Sequence, residues 1–277
     1  MSQIMLYWRW PLQGTGQHSY NWPPYGTISA DFGTTAYNWD AMGISTSLVN
    51  EPMALIQFHC GVGVDMMYGP GGSGAYSEDV PAAIQNYFGY HPQSQALQRW
   101  NYSDEQWMQE IRQQIDQGTP LYYSGCSNSG CHAFVCAGYD TNSPALFHFN
   151  FGWGGQSDGY YTLENAGGFS SWQQIVIHFK PVDNYTYPTQ DFTHVTARTG
   201  TLEDGSGPVK PYAHMAGYKW LIDPQTPEDS ITDITLKFYR FEMASGDTLF
   251  VFDGGDENAP LLGAYTGNNL PDRKSVV

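Results

Sequence analysis

Two stretches that lie close together in the chain decide its fold: His132-Ala133-Phe134-Val135-Cys136 and Asn150-Phe151-Gly152-Trp153-Gly154-Gly155. Both belong to short runs rich in aromatic and β-branched residues, which is typical of β-strands. A hairpin whose turn is centred near residue 141 pairs positions whose numbers sum to about 282, so we expect His132 to lie opposite Asn150. A register shift of two residues would leave both side chains on the same face of the sheet.

An imidazole and a carboxamide on one face of a hairpin are two of the three groups of a thiol-protease site. The imidazole takes the proton of a cysteine and holds the thiolate, while an amide oxygen accepts the other ring N–H and fixes the tautomer. The spacing therefore predicts His132 as the base, Asn150 as its orienting residue and Trp153 as a cover over their hydrogen bond. Taken singly, these residues are also compatible with a packed histidine, a turn asparagine and an aromatic plug.

Composition and charge restrict the class of protein. Aromatic residues make up 16% of the 277 residues, charged residues only 14%, and the chain has 31 Gly and 17 Pro, which indicates a sheet-rich and loop-rich protein. The formal charge of −16 argues against nucleic acid as a partner. The sequence has no apolar run of about 18 residues and no signal peptide, and we expect a secreted or cell-surface protein without a membrane span.

The order of the predicted elements favours an α+β fold, with helices first and an antiparallel sheet after them. Helices are predicted up to Pro11, over Asn50–Cys60, over Ser77–Tyr87, and from a capping box at Ser103 to Gln117. Strands are predicted over Pro120–Ser124, His132–Tyr139, Leu146–Phe151, Gly159–Leu163 and Gln174–Phe179. The predicted domain covers residues 1–183, and a linker over 184–195 leads to an all-β sandwich over 196–277.

Four stretches resemble the streptopain family of secreted bacterial cysteine peptidases, which has a papain-like fold. They are Tyr37-Asn38-Trp39, the run 63–70, the run 130–135 around His132, and the run 150–159, in the family's order over residues 1 to about 182. The resemblance implies that His132 is the catalytic base, Asn150 orients it and Trp153 shields it. It also implies protein or peptide substrates.

The same resemblance suggests substrate-binding residues, with some departures from the family pattern. Gly71, Gly72 and Ser73 would help to form the cleft, although a plain flexible connection explains them as well. The family usually has Gly before the histidine and Trp after the asparagine, where this chain has Cys131 and Phe151. We expect both changes to be tolerated and include Cys131 among the substrate-binding candidates.

The nucleophile is the main departure. Residues 2–11 resemble the second half of the helix whose first turn carries the catalytic cysteine in this family, which would put that residue about five positions before Met1. The chain therefore looks like a fragment that is inactive alone. Among the cysteines present, Cys131 is expected on the opposite strand face from His132, and Cys60, Cys126 and Cys136 lack a helix-start context.

The cysteines around His132 also permit a zinc hypothesis, which the strand geometry disfavours. On a strand, Cys131 faces away from His132, and Cys136 lies about 13 Å along the same face, too far to share one ion. Buried apolar packing or a Cys126–Cys131 disulfide explains these residues better. We expect no metal and no cofactor in this domain.

Residues 196–271 resemble a bacterial CUB-like β-sandwich, through stretches such as Tyr218-Lys219-Trp220-Leu221-Ile222 and 246–254. Some CUB domains bind calcium, and Glu203, Asp247 and Asp253 are weak candidates, with solvated turn carboxylates as the simpler interpretation. The domain would hold a surface ligand. The alternative function for the whole chain is therefore an adhesion protein, binding glycans or proteins on a degenerate peptidase scaffold.

Overall fold

The computed structural model describes residues 1–43, 49–140, 146–185, 190–224, 231–238, 241–267 and 275–276. The chain divides into two compact units. The first comprises Met1–Thr189 and Thr199–Ala216, and the second comprises Gln190–Arg198 and Gly217–Val277. Among the described residues, no helix has the length and hydropathy needed to cross a bilayer.

Among the described residues of the first unit, four α-helices form where the sequence predicts them. They are α1 (Ser2–Trp8), α2 (Glu51–Gly63), α3 (Val80–Phe88) and α4 (Asp104–Asp116). The Asn50 side chain caps α2 by accepting from the Met53 N–H. The predicted capping box is present at α4, where Ser103 and Gln106 satisfy each other's backbone N–H groups. The helix predicted from Ser77 begins with a 3-10 turn, Ser77–Asp79, before α3.

Strands of the first unit form a small hairpin and a large sheet. The hairpin is β1 (Gln17–Trp22) with β2 (Gly26–Asp31), and the sheet contains β3 (Gln95–Gln98), β4 (Leu121–Ser127), β5 (Gly130–Asp140), β6 (Leu146–Asn150), β7 (Gly159–Tyr161) and β8 (Ser171–Ile177). The six strands are antiparallel in the order β3-β8-β4-β5-β6-β7. All five predicted strands are present. The sequence analysis missed β3.

The sheet has a separate apolar core on each face. Helix α4 covers one face, where Trp107 and Ile111 pack among aromatic residues that include Tyr123 and Phe134. Helices α1, α2 and α3 cover the other face. The strands contribute to this second core through residues such as Val135, the neighbour of Phe134 in sequence. Because side chains alternate along a strand, successive residues of β4 and β5 serve opposite cores.

The register of the β5–β6 hairpin differs from the predicted one. Asn150 pairs with Val135, three residues further along β5 than His132, and Asp140 pairs with Leu146. The ladder continues as far as Asp140, and a β-bulge between Cys136 and Gly138 shifts the pairing further. Residue 141, the predicted turn centre, lies outside the described residues. The predicted pairing of His132 with Asn150 is wrong, and an odd offset places these side chains on opposite faces of the sheet.

The described strands of the second unit form three two-stranded pairs. β9 (Phe192–Val195) lies parallel to β10 (Lys219–Ile222), β11 (Ile234–Thr235) pairs with β14 (Ser275–Val276), and β12 (Leu249–Phe252) pairs with β13 (Leu261–Tyr265). Strand β9 lies inside the stretch predicted as a linker, while residues 199–216 belong to the first unit. The sandwich and the domain boundaries stay predictions.

Candidate active site

His132 lies near the start of β5, and its ring is fixed by a main-chain oxygen. The ring Nε2 lies 2.8 Å from the carbonyl oxygen of Phe151. A carbonyl can only accept, so Nε2 carries the proton of this hydrogen bond and the lone pair of the neutral ring is on Nδ1. The imidazole is therefore held in the tautomer that a general base needs.

Aromatic rings enclose this imidazole. Trp153 stacks on His132 with ring centroids 4.9 Å apart and an interplanar angle of 23°. Phe169 and Phe134 lie at 5.5 Å and 5.9 Å. Trp153 itself is 45% exposed, so it separates the ring and its hydrogen bond from solvent on one side. The structure thus places Trp153 where the sequence analysis expected it, against the histidine.

Asn150 makes different contacts from those expected. Its Oδ1 accepts from Gln3 Nε2 at 3.0 Å and from the Gly152 N–H at 2.9 Å. The hydrogen bond predicted between His132 and Asn150 is replaced by the bond to Phe151, because the ladder register turns the amide toward the face that α1 covers. The contact with Gln3 brings the first turn of α1 to the end of β6.

Hydrogen bonds to both backbone groups of Phe151 hold the turn after Asn150. The Phe151 N–H donates to Asp158 Oδ1 at 2.8 Å, while the Phe151 carbonyl accepts from His132. Gly152 adopts φ 77°, a left-handed conformation that glycine accepts without strain. This geometry delivers the carbonyl to the imidazole and Trp153 to its face.

None of the chain's four cysteines, all of them described, is placed as a nucleophile. Cys60 and Cys136 are buried and free. Burial raises the pKa of Cys60 to about 11, against a smaller lowering by the N-terminal amine, and it also raises the pKa of Cys136. Cys126 and Cys131 form a disulfide. A protonated or oxidised sulfur is a poor nucleophile.

The substrate-binding candidates fall into two places. The loop with Gly71 and Gly72 is closed by a bridge between Met67 and Gly74, and Ser73 lines a cavity of about 600 Å³ with Tyr25 and other residues of β2 and α2. Cys131 precedes His132 on β5, where alternation turns its side chain to the other face. The structure therefore puts Cys131 in a cross-strand disulfide beside the site.

Three site residues were not anticipated from sequence: Gln3, Phe151 through its carbonyl, and Phe169. Main-chain acceptors leave no signal in residue types. Phe169 follows the glycine pair Gly167-Gly168, and in the sequence this pair is the signal for a turn that could place the aromatic ring at the site.

In the described part of the chain, no three His, Cys, Asp or Glu side chains group in a way that suits a metal ion. The calcium candidates belong to different units, since Glu203 lies in the first and Asp247 and Asp253 in the second.

Residues 1–161 match the sequence profile of the peptidase C10 family. The chain belongs to this family. It is 31% identical to streptopain of Streptococcus pyogenes serotype M1 over 203 residues, covering 65% of this chain and 50% of streptopain. It is 36% identical over 203 residues to the thiol protease/hemagglutinin PrtT of Porphyromonas gingivalis, covering 66% of this chain and 23% of PrtT. The chain thus spans about half the length of streptopain and less than a quarter of the length of PrtT.

A solved structure supports the same family and fold. The active wild-type interpain A cysteine protease of Prevotella intermedia superposes with a TM-score of 0.58 at 38% identity, covering 65% of this chain and 80% of that one. The predicted α+β, papain-like fold is confirmed.

A further 80-residue match at 34% identity to human cubilin covers 26% of this chain and 2% of cubilin. The CUB-like assignment rests on that match alone and stays a prediction.

Proposed function

We propose that this chain carries the base-bearing part of a secreted cysteine endopeptidase. His132 is the general base, and the Phe151 carbonyl accepts its ring N–H. Asn150 instead joins the turn at Gly152 to Gln3 of α1. The observation that carries the proposal is the hydrogen bond from His132 Nε2 to Phe151, under the stacked Trp153. It leaves Nδ1 as the proton acceptor of a family peptidase site.

The reaction follows from that arrangement. Nδ1 of His132 takes the proton of a cysteine thiol, and the thiolate attacks the scissile carbonyl carbon. The imidazolium then gives its proton to the leaving amine, which departs as the C–N bond breaks. A water, deprotonated by the same ring, attacks the thioester carbonyl carbon. The C–S bond breaks, the acid product leaves, and the ring returns the proton to the cysteine sulfur. Trp153 limits solvent competition for the ring hydrogen bond throughout.

The proposal requires a nucleophile other than the four cysteines of this chain. The buried thiols of Cys60 and Cys136 have raised pKa values, and the other two sulfurs are joined. Asn150 meets Gln3 of α1, so a thiol carried at the N-terminal end of that helix would approach the same edge of the sheet. A helix N-terminus stabilises a thiolate.

Secretion is part of the proposal and has its own support. The Cys126–Cys131 disulfide is typical of an oxidising compartment. The substrates would be proteins or peptides, as the names of these related proteases suggest.

The test compares hydrolysis of a casein or fluorogenic peptide substrate by the 277-residue chain and by the complete gene product. We expect no turnover from the chain alone, thiol-dependent turnover from the complete product, and a loss of at least about 1000-fold in kcat for its His132→Ala variant. A matched control is His148→Ala, on the neighbouring strand. Alkylation-sensitive turnover by the chain alone would contradict the assignment of the nucleophile, and full activity of His132→Ala would contradict the base.

A binding protein on a peptidase scaffold is the second candidate, favoured by the unreactive state of all four sulfurs. The name of the related protein PrtT, a thiol protease/hemagglutinin, supports this candidate. An inactive complete product that agglutinates erythrocytes or retains glycans on an array would favour this candidate.

A further inference from the structure

We propose that the Cys126–Cys131 disulfide is a positioning device for His132, holding the imidazole against Phe151 and Trp153. The inference rests on the proposed role of His132 as the base. Only Cys131 of this pair falls within a stretch that resembles the family, and there the family usually has Gly. The inference follows from the limited strand pairing at this end of the sheet.

His132 lies on a segment of β5 with a hydrogen-bonded neighbour on one side. Among the described residues, Gly130 to Phe134 pair with β4, and pairing with β6 starts at Val135. In the β4–β5 ladder, two residue pairs lie between His132 and the turn that joins these strands, and the last of them contains Gly130. A strand end with one neighbour frays more readily than one paired on both sides.

The partner of His132 contributes no side chain to this rung. Gly125 stands opposite, and a Cβ there would lie 2.6 Å from the Phe169 carbonyl, so only glycine fits. Cross-strand side-chain contacts, which normally stabilise a rung, are therefore missing at His132. On the far side of β4 the pairing with β8 is also interrupted, by a register shift between Ser124 and Cys126.

The disulfide lies on the very next rung. Cys126 and Cys131 are direct cross-strand partners with Cα atoms 3.9 Å apart. Their side chains project from the face opposite to His132, so the bond ties the two strands without obstructing the imidazole. A slip of β5 by one residue would turn His132 to the wrong face, and a covalent link between paired residues forbids that slip.

The test uses the whole 277-residue chain with isotope-labelled histidine, so that turnover is not needed. Stacking on Trp153 gives the His132 ring protons a ring-current shift and a nuclear Overhauser contact with the indole; the signals are assigned with His132→Gln. We expect the Cys126→Ser/Cys131→Ser variant to lose that contact and most of that shift, while its core methyl signals stay dispersed. Dithiothreitol, which converts Cys126 and Cys131 to two thiols and is itself oxidised to its cyclic disulfide, should do the same.

A relocated bond supplies the matched control. Ser124 and Ala133 are the facing pair two residues further along. Ser124→Cys/Ala133→Cys, added to the double-serine variant and oxidised, should restore the His132–Trp153 contact. Retention of the contact without any disulfide, or global loss of the folded signals, would overturn the positioning role. So would a relocated bond, verified by mass, that fails to restore the contact. None of these results depends on whether the complete product is a peptidase.

Discussion

At the scale of single residues, the chemistry of this protein depends on which groups are protonated and where. The contact between Trp153 and His132 was predicted from sequence context, because residue types and spacing carry that information, and the two rings do stack. The acceptor of the imidazole was not found, since it is the backbone of Phe151 and not the side chain of Asn150. Backbone carbonyls are identical at every position, so only the register reveals which one reaches the ring.

Thiol labelling tests the state of the four sulfurs. Iodoacetamide should modify no cysteine of the native chain without reductant, because Cys60 and Cys136 are buried with raised pKa values. In guanidinium chloride we expect two adducts, and four after reduction, by intact mass. An adduct on native Cys60 or Cys136 would contradict this description of the thiols.

His59 gives the protein a pH-dependent stability. It is 4% exposed, its Nδ1 lies 2.8 Å from the Tyr37 hydroxyl, and burial lowers its pKa, with Asp31 acting in the opposite direction. The unfolded chain therefore binds this proton at higher pH than the native state, so stability present at neutral pH is lost as pH falls through the range below about 6.5.

The corresponding measurement is urea unfolding at about pH 7, 6 and 5. The free energy of unfolding should fall with pH, and His59→Gln should flatten the slope. His178, whose pKa is lowered by burial and by the nearby His91 and Lys180, contributes in the same direction and leaves a residual slope. An unchanged slope in His59→Gln would show that the histidine is not the source.

At the scale of elements, the signals that sequence reasoning used are local ones. The capping residues Asn50 and Ser103 mark helix starts through their own side chains, so α2 and α4 were located closely. The β-bulge in β5 and the short edge strand β3 depend on partners distant in sequence, which is why the register was wrong and β3 was missed.

Removing the α4 cap should have a measurable cost. Ser103→Ala deletes the acceptor for the Gln106 N–H and should lower the free energy of unfolding by about 1 kcal/mol. Ser170→Ala, at an exposed loop position, should change it by less than about 0.5 kcal/mol. Equal effects in chemical denaturation would mean that the capping box contributes nothing to stability.

At the scale of the whole molecule, one sheet separates two cores, and the site lies at the end of that sheet. The α+β order was predictable from the local patterns of helices and strands, and the papain-like fold followed from the resemblance of four stretches to the streptopain family. The organisation of the second unit was less predictable, since its strands form isolated pairs whose spacing is shared by many β proteins.

The core under α4 should contribute strongly to the stability of the first unit. Trp107 is fully buried between α4 and the sheet, and Trp107→Ala should cost about 3–5 kcal/mol. Trp100 is 55% exposed and pairs with Trp172, so Trp100→Ala should cost about 1 kcal/mol or less. Thermal and urea unfolding measure both, and similar losses would contradict the assignment of the core.

The chain leaves the first unit at residue 190 and returns to it at residue 199, which affects where a truncated protein should end. Thr201 donates its N–H to the Asp40 carbonyl at 3.0 Å, and the Lys210 ammonium lies 4.2 Å from the centre of the Tyr185 ring, so residues 199–216 complete the first unit. A recombinant boundary drawn at residue 183 would take the Thr201 hydrogen bond from Asp40 and would delete Tyr185 together with Lys210. Trimming should therefore begin no earlier than after residue 216, and the shorter version should express worse and be digested faster by trypsin.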